Sequence, residues 1–430
     1  MNEESKIGPV SLERITVIDA LRGFALLGVL LIHMLDRFGY FDGNITVNSP
    51  VPELDKLIQW FSGIFIRGKF LSIFSFLFGL SFYIQMERAA KKGIDFRGRF
   101  LWRMLLLFVI GMIGTSFTYV DILTIYAVFG VILVFLYPLR NWALILIISL
   151  LLLGIPNLFI IGFDKVTTEQ STEDIPLSLI EQSDMKDVNT TEEQYGGMNA
   201  FESKTFLETA KENLTVKTFD KLKHQFVYSG NGYLILSLFI IGFMVGRLRF
   251  FEQAHIRKKR SFILLALFLL ISLFALIIIK VISPGEDIGL FKLMIEGKDV
   301  PLIYFAVSFF RNLNTIGMAG VLVVGFVILY QMGGVRKYLD LLTPYGRMGL
   351  TNYEMQNIIG AILFSAWGVG DFFGNKGVTE LFTLGLIIYA LQIIISKYWM
   401  KRFLFGPFEW IWRSGTYLKF PPFKRKKMQI

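Results

Sequence analysis

The chain has 430 residues, of which 54% are hydrophobic and 15% aromatic, and it carries a formal net charge of +10. A soluble chain of this length would divide into two or three domains, but the apolar runs here are too many and too long for soluble cores. The chain has no cysteine, which excludes disulfides, a thiol nucleophile and a thiolate metal site. The positive charge lies mainly in short loops and in the tail KRKK (424–427), as membrane topology requires, and this placement argues against a nucleic-acid partner.

The apolar segments predict an all-α, polytopic membrane helix bundle that forms one domain over residues 1–430, because lipid offers the backbone no other hydrogen-bond partner. The polar N-terminal segment is followed by no clear cleavage site, so we expect the first span to be retained. Short pieces at 57–69 and 301–309 are expected to lie at the interface before the second and eighth spans. The ten predicted spans are residues 15–35, 70–87, 101–117, 119–138, 142–163, 231–250, 261–283, 310–332, 346–366 and 379–400.

Loop charges predict the orientation of these spans. Six Lys or Arg residues lie in 88–103, six in 247–260 and nine in 397–427, whereas the loops 36–56 and 284–300 each carry four acids against two basic residues. Because cytoplasmic loops are enriched in Lys and Arg, both termini are predicted to be cytoplasmic, in a multi-pass protein of the plasma membrane.

Two segments outside the spans have their own predicted roles. Residues 164–230 are predicted to form an extracytoplasmic loop that contains an amphipathic helix near 199–226. This loop is either a surface connection or a lid over an outward-facing site, since long loops are often functional. The tail, 401–430, alternates aromatic residues with cations and is predicted to lie at the cytoplasmic interface, near anionic lipid.

Three ionisable residues, Asp19, Arg22 and His33, interrupt the first span, and such residues inside a membrane usually mark a site. On an ideal helix Arg22 and His33 differ by roughly 20° around the axis and lie about 16 Å apart along it. Arg22 is therefore a candidate phosphate ligand near the cytoplasmic side, and His33 a candidate base or acyl relay near the outer side. The alternatives are a structural Asp19–Arg22 ion pair and a histidine satisfied by a neighbouring helix.

Further candidate residues lie at the outer helix ends. Asp121 begins the fourth predicted span at the depth of His33, where it would fix the imidazole tautomer or, alternatively, cap its own helix. Arg67 and Lys69 precede the second span and are candidate acceptor or oxyanion ligands, or else interfacial anchors.

The ninth span opens with YGRMGLTNYEMQN (345–357), which carries too many polar groups for a lipid-facing surface. Some of them must line an internal cavity. Arg311 in the eighth span supports this interpretation and is, with Arg67 and Lys69, a candidate ligand of the acceptor substrate. No metal set is expected, because His224 and His255 are predicted on opposite sides of the membrane. The candidates for donor binding in this span are Arg347, Asn352, Tyr353 and Gln356, and Glu354 shares a face with Arg347 and Asn357.

Five segments in order resemble the YeiB-like bacterial membrane proteins, and they cover both ends of the chain and most spans. These are Asp19-x-x-Arg22-Gly23-x-Ala25, KFLSIFSFLFGLSF (69–82), DILTIYA (121–127), GRMGLTNYEMQ (346–356) and GPFEWIWRS (406–414). That family is similar to a wider group of transmembrane acyltransferases that includes heparan-alpha-glucosaminide N-acetyltransferase and the acyltransferase-three proteins. The Arg22-x10-His33 spacing also resembles the acyltransferase-three signature, whereas YeiB-like proteins commonly have asparagine at the His33 position.

The resemblance implies a membrane acyltransferase that uses acetyl-CoA or another acyl-CoA as donor and needs no metal. In that interpretation Arg22, with Asp19 and Arg347, binds the donor, and His33 with Asp121 serves the transfer. The acceptor would be an extracytoplasmic hydroxyl or amine, such as a cell-envelope glycan or metabolite, and by analogy the protein would be a homodimer in the bilayer. A small-molecule transporter or exporter that uses the same polar cavity is the alternative.

Overall fold

The computed structural model describes residues 16–40, 49–160, 204–253, 258–283 and 301–425. The polar N-terminal segment, the acidic loop 284–300, most of the predicted 164–230 loop and the last residues of the basic tail lie outside the described residues. In the described part of the chain the regular structure is helical, apart from a single antiparallel bridge between Phe403 and Lys424.

Each of the ten predicted spans overlaps at least one described helix. The helices are α1 Thr16–Leu35, α2 Pro52–Phe65, α3 Lys69–Ala90, α4 Arg97–Phe117, α5 Leu123–Leu136, α6 Asn141–Leu152, α7 Phe206–Glu212, α8 Thr218–Lys223, α9 Asn231–Arg247, α10 Lys258–Ile282, α11 Leu302–Tyr330, α12 Gly333–Leu339, α13 Leu342–Arg347, α14 Gly349–Phe364, α15 Val378–Arg402 and α16 Pro407–Tyr417. The piece predicted at 301–309 is not separate, because residues from 302 onward are continuous with the eighth span in α11.

Six described helical segments are long and apolar enough to cross a bilayer, or seven if the bent pair that ends with α9 is counted as one span. The chain is therefore a multi-pass membrane protein. Helices such as α5 and α6 are apolar but shorter than a full crossing. The count of ten and the orientation stay predictions.

The helices run between two ends of the bundle. The basic end is formed by residues 91–96, 248–253, 331–348 and 403–425, and the opposite end by residues 36–40, 49–51, 66–68, 118–122, 204–230 and 365–377. Tyr330 bonds Thr16 at the basic end (3.0 Å), and Thr379 donates its N–H to Asp55 at the opposite end (2.8 Å). The basic end is the predicted cytoplasmic side.

Helix α1 is the central element of the bundle. Most of its side chains are buried, and it packs against α3, α11, α13, α14 and α15. This position explains why an apolar helix of 20 residues tolerates Asp19 and Arg22, since these polar groups face other helices and the cavity described below rather than lipid.

Helices α3 and α9 approach each other through two glycines. Gly79 lies against the backbone of Phe239, and Gly242 lies against the backbone of Phe76. A larger residue at either position would push the two helices apart. Ser75 of α3 bonds the buried Tyr126 hydroxyl at 2.5 Å. Small residues of α3 thus allow its close packing against α5 and α9.

Residues 206–228 form a continuous helical segment across the opposite end, which we call the outer helix. It consists of α7 and α8, each followed by a five-residue π-helical stretch. Thr205 and Glu208 form a capping box at its start. Rings of Phe117 and Trp367 each lie 5.3 Å from the ring of Phe206, which fixes the outer helix on the bundle.

Candidate functional site

A cavity of about 260 Å³ lies between α1, α3, α4, α14 and α16 at the basic end. Its wall carries four arginines, Arg22, Arg103, Arg347 and Arg413, and one carboxylate, Glu409. Aromatic and aliphatic side chains form the rest of the wall and include Phe74, Phe78, Phe100 and Trp412. Because cations outnumber the single acid and most of the wall is apolar, the cavity suits an anionic ligand with an apolar segment.

Arg22 lines this cavity from the middle of the bundle. Its guanidinium donates to Asp19 (3.2 Å), to the Ser81 hydroxyl (3.0 Å) and to the Gly346 carbonyl (3.4 Å). The Asp19 ion pair that was one alternative for this residue is thus formed, and it coexists with a position in the cavity wall. Three fixed partners hold the guanidinium in place, so that a ligand would meet an oriented cation.

Arg103 also lines the cavity. In the sequence it stood out only as one of the six basic residues of 88–103. Its guanidinium carbon lies 3.7 Å from the centroid of the Trp412 ring. Its buried Nε–H donates to no acceptor among the described residues, so Arg103 retains an unused donor at the cavity. This cation–π contact joins α4 to the segment GPFEWIW (406–412). Only the tertiary structure shows it, because the two residues lie far apart in the sequence.

Glu409 of α16 caps helix α14. Its carboxylate accepts hydrogen bonds from the N–H groups of Leu350 (2.7 Å) and Thr351 (3.0 Å) and from the Thr351 hydroxyl (2.5 Å). These bonds satisfy donors that the first turn of a helix leaves free. Burial raises the pKa of Glu409, and the bonds from Thr351 oppose this effect. The tail thereby fixes both the start of α14 and the arginines beside it.

The deep end of the cavity is formed by Tyr353. Its hydroxyl accepts a hydrogen bond from the Ile122 N–H (3.0 Å) and bonds the Asp121 carboxylate. Asp121 also accepts from the Leu123 N–H (3.1 Å) and from the Asn357 amide (3.1 Å). The polar surface of the cavity therefore continues into a buried cluster that lies towards the opposite end.

Lys221 of the outer helix closes this cluster. Its ammonium donates to the backbone carbonyl of Asp121 at 2.9 Å, and its charge acts on the Asp121 carboxylate. Burial lowers the pKa of Lys221, and the charge of Asp121 opposes this effect. Nothing in the sequence singled out this lysine, because its partner lies 100 residues away.

His33 lies at the opposite end of α1, with its ring 5.3 Å from that of Phe38. It does not line the arginine cavity, and no hydrogen bond joins it to Asp121 in the described part of the chain. The tautomer-fixing contact proposed between these two residues is thus not formed. Asp121 instead accepts hydrogen bonds from the Leu123 N–H at the start of its own helix and from the Asn357 amide of α14. The first of these bonds is the capping contact that was the alternative for this residue.

Comparisons with known proteins agree with the motifs. A family described as "Protein of unknown function (DUF418)" matches residues 245–419. The chain is 28% identical over 429 residues to an uncharacterised 39.9 kDa protein of Bacillus acidopullulyticus, with 97% of this chain and 99% of that protein covered. It is 27% identical to the uncharacterised protein YxaH of Bacillus subtilis (96% and 97% covered) and 24% identical to the uncharacterised protein YeiB of Escherichia coli (94% and 97% covered). The chain is thus similar to the YeiB-like proteins, as its motifs predict.

A second family, described as "Heparan-alpha-glucosaminide N-acetyltransferase, catalytic", matches residues 14–179. This match indicates a transferase-like membrane protein. The arginine cavity draws on both matched regions, since Arg22 and Arg103 lie within 14–179 and Arg347 and Glu409 within 245–419.

Asn352 and Gln356, both candidate donor ligands, face a different interface of the bundle. The Asn352 amide donates to the Tyr345 carbonyl and to the Ser396 hydroxyl, each at 3.0 Å. The Gln356 amide donates to the Tyr345 hydroxyl (2.7 Å) and to Gln392 (3.1 Å). These bonds join α14 to α13 and α15, and neither side chain lines the cavity.

The three candidate acceptor ligands do not meet the cavity either. Arg67 makes a two-pronged ion pair with Asp36 (3.1 and 2.7 Å) at the opposite end. The Lys69 ammonium donates to the Gly63 carbonyl (2.8 Å) and closes the turn between α2 and α3. Arg311 is exposed in the first half of α11. Their contacts fit structural roles, and their part in binding stays a prediction.

Proposed function

We propose that this protein is a plasma-membrane acyltransferase that binds an acyl-CoA at the arginine cavity and passes the acyl group to a hydroxyl or amine at the opposite end. The observation that carries the proposal is the convergence of Arg22, Arg103, Arg347 and Arg413 on one partly apolar cavity. An acyl-CoA combines anionic phosphates with a long flexible arm. Guanidinium groups bind phosphates through forked donors, and the apolar wall accommodates the arm.

The size of the cavity favours partial insertion of the donor. At about 260 Å³ it falls below the roughly 300–1,000 Å³ of sites that enclose whole ligands. We therefore expect the nucleotide phosphates to remain at the basic end near Arg103, Arg347 and Arg413, while the thioester arm enters towards Tyr353. The predicted orientation places the basic end in the cytoplasm, where acyl-CoA is available.

The donor site is tested with purified protein in lipid nanodiscs by calorimetric titration with acetyl-CoA. We expect Arg103→Ala to weaken binding about 10- to 100-fold, because a charged hydrogen bond contributes roughly 1.5–3 kcal/mol. Arg99→Ala is the matched control: Arg99 lies one turn earlier on α4 and also faces a ring of α16, that of Tyr417 at 5.5 Å, but it does not line the cavity.

Two outcomes would contradict the proposal: wild-type protein that does not bind acetyl-CoA, or an Arg103→Ala variant with wild-type affinity. A transporter of anionic solutes would use the same cations. It is distinguished by uptake of an anionic solute into proteoliposomes that occurs without CoA and is lost in Arg103→Ala.

A further inference from the structure

A second carboxylate, Glu354, lies beside Asp121 beyond the deep end of the cavity. Glu354 follows Tyr353 on α14 and is only 2% exposed. The negative charge of Asp121 acts on it, and the side chain of Asn357 lies between the two acids, in contact with both. Two acids at one buried position take different roles when their surroundings differ.

Asp121 is held by a full set of donors. The Leu123 N–H, the Asn357 amide and the Tyr353 hydroxyl bond its carboxylate, and Lys221 places a positive charge beside it. These partners occupy the carboxylate oxygens of Asp121 and fix its orientation. Asp121 therefore suits positioning rather than proton transfer.

Glu354 has an unused hydrogen-bond acceptor atom. Its Oε1 accepts no hydrogen bond from the residues that the structure describes, and the same holds for Oδ1 of Asn357, which is 1% exposed. Buried acceptor atoms without donors are costly and usually mark a place where a ligand brings its own donor. Gly114 of α4 makes room for the acid, since a β-carbon at that position would lie 2.6 Å from Glu354 Oε2.

We propose that Glu354 binds the hydroxyl or amine of the acyl acceptor and takes its proton during transfer, with Asn357 Oδ1 orienting a second donor of the same molecule. This inference rests on the proposed acyltransferase function and deepens it. Two unused acceptor atoms side by side select a molecule with at least two neighbouring hydroxyl or amino groups, which is the chemistry of a sugar or another polyol.

The acceptor oxygen or nitrogen attacks the thioester carbonyl carbon and forms the new ester or amide bond while its proton passes to Glu354. The carbon–sulfur bond breaks with its electron pair on sulfur, and the proton then passes from Glu354 to the CoA thiolate. Tyr353, which lies between the cavity and Asp121, is placed to separate the donor arm from the acceptor side.

The test uses the full chain in nanodiscs and water as a surrogate acceptor. Free CoA is measured with a thiol reagent, which has no background from the protein because the chain contains no cysteine. We expect Glu354→Gln to keep a Kd for acetyl-CoA within about twofold of the wild-type value. We expect its rate of CoA release to fall by at least about 100-fold, in the range typical of a lost general base. Glu53→Gln is the control, since Glu53 is an exposed acid that pairs with Lys56.

The readouts separate the possible failures. If Glu354→Gln folds, binds acetyl-CoA and releases CoA at the wild-type rate, the inference is wrong, but the proposed donor site is unaffected. Wild-type protein that binds acetyl-CoA without hydrolysing it also overturns the inference. Wild-type protein that does not bind acetyl-CoA overturns both proposals. If Glu354→Gln fails to fold, Glu354→Asp replaces it, because the shortened acid keeps the charge and must still slow CoA release without changing Kd.

Discussion

Glu409 and Thr351 are joined by two hydrogen bonds although they lie 58 residues apart in different helices. The acid belongs to the short helix of the C-terminal tail, and the threonine to the first turn of the helix that carries Tyr353 and Glu354. A residue of the tail therefore fixes the start of the helix on which the candidate site is built.

We predict that Glu409→Ala lowers the free energy of unfolding by about 1–3 kcal/mol, because three buried donors at the start of α14 lose their acceptor. Thermal unfolding in nanodiscs measures the change, and hydrogen exchange should increase at the Leu350 and Thr351 amides. Glu380→Ala is a useful comparison, since Glu380 accepts a hydrogen bond from the Gly377 N–H at the start of its own helix and forms an ion pair with Lys376 (3.4 Å). An equal loss in both variants would contradict a special role for the tail.

Glu409 should also make stability depend on pH. Because burial raises its pKa above the ordinary value of 4.5, the folded protein keeps this proton to higher pH than the unfolded chain does. Stability from this group is thus full at low pH and is lost as pH rises through the folded-state pKa. We predict that the midpoint of unfolding falls more steeply as pH rises above 4.5 in wild-type protein than in Glu409→Gln. Parallel curves would show that Glu409 does not titrate in this range.

Gly114→Ala should disturb the candidate acceptor site while Glu354 keeps its charge. The new methyl group would lie within 2.6 Å of the Glu354 carboxylate and force it to move. We predict a fall of about tenfold or more in CoA release from acetyl-CoA, because a displacement of about 1 Å is costly in a catalytic site. Gly98→Ala is the matched control on the same helix, where a methyl group meets nothing within 4 Å. Equal activity of the two variants would argue against Glu354.

Lys221→Met should loosen the outer helix. The ammonium donates to the buried Asp121 carbonyl and balances the Asp121 charge, so that its removal leaves both without that partner. We predict a loss of about 1–3 kcal/mol in the free energy of unfolding and faster proteolysis within residues 204–230. Lys211→Met, at an exposed position of the same outer helix, should have neither effect. Unchanged proteolysis of Lys221→Met would show that this contact does not hold the outer helix.

His33→Ala separates the two candidate proton acceptors. Because His33 does not line the arginine cavity, we predict that the variant binds acetyl-CoA with a Kd within about twofold of wild type. If the histidine relays the acyl group, CoA release should fall at least as far as in Glu354→Gln. CoA release at the wild-type rate from His33→Ala would exclude it from the transfer step.

Local features of the sequence determined the helices and one ion pair. Membrane spans follow from the length of apolar runs, and Asp19 and Arg22, three residues apart, meet on any regular helix. The polar content of the ninth span likewise required an interior position. It did not show that Tyr353 faces the cavity and Glu354 the buried cluster, or that Asn352 and Gln356 face α15.

Only the tertiary structure decided which elements meet. It brought Arg103 beneath Trp412, Lys221 onto Asp121 and Glu409 onto Thr351, and it left His33 outside the cavity that Arg22 lines. The reason is physical: helical periodicity fixes the direction of a side chain around its own axis, whereas the neighbour it contacts depends on how the helices pack together. Packing of that kind is set by contacts between residues far apart in the chain.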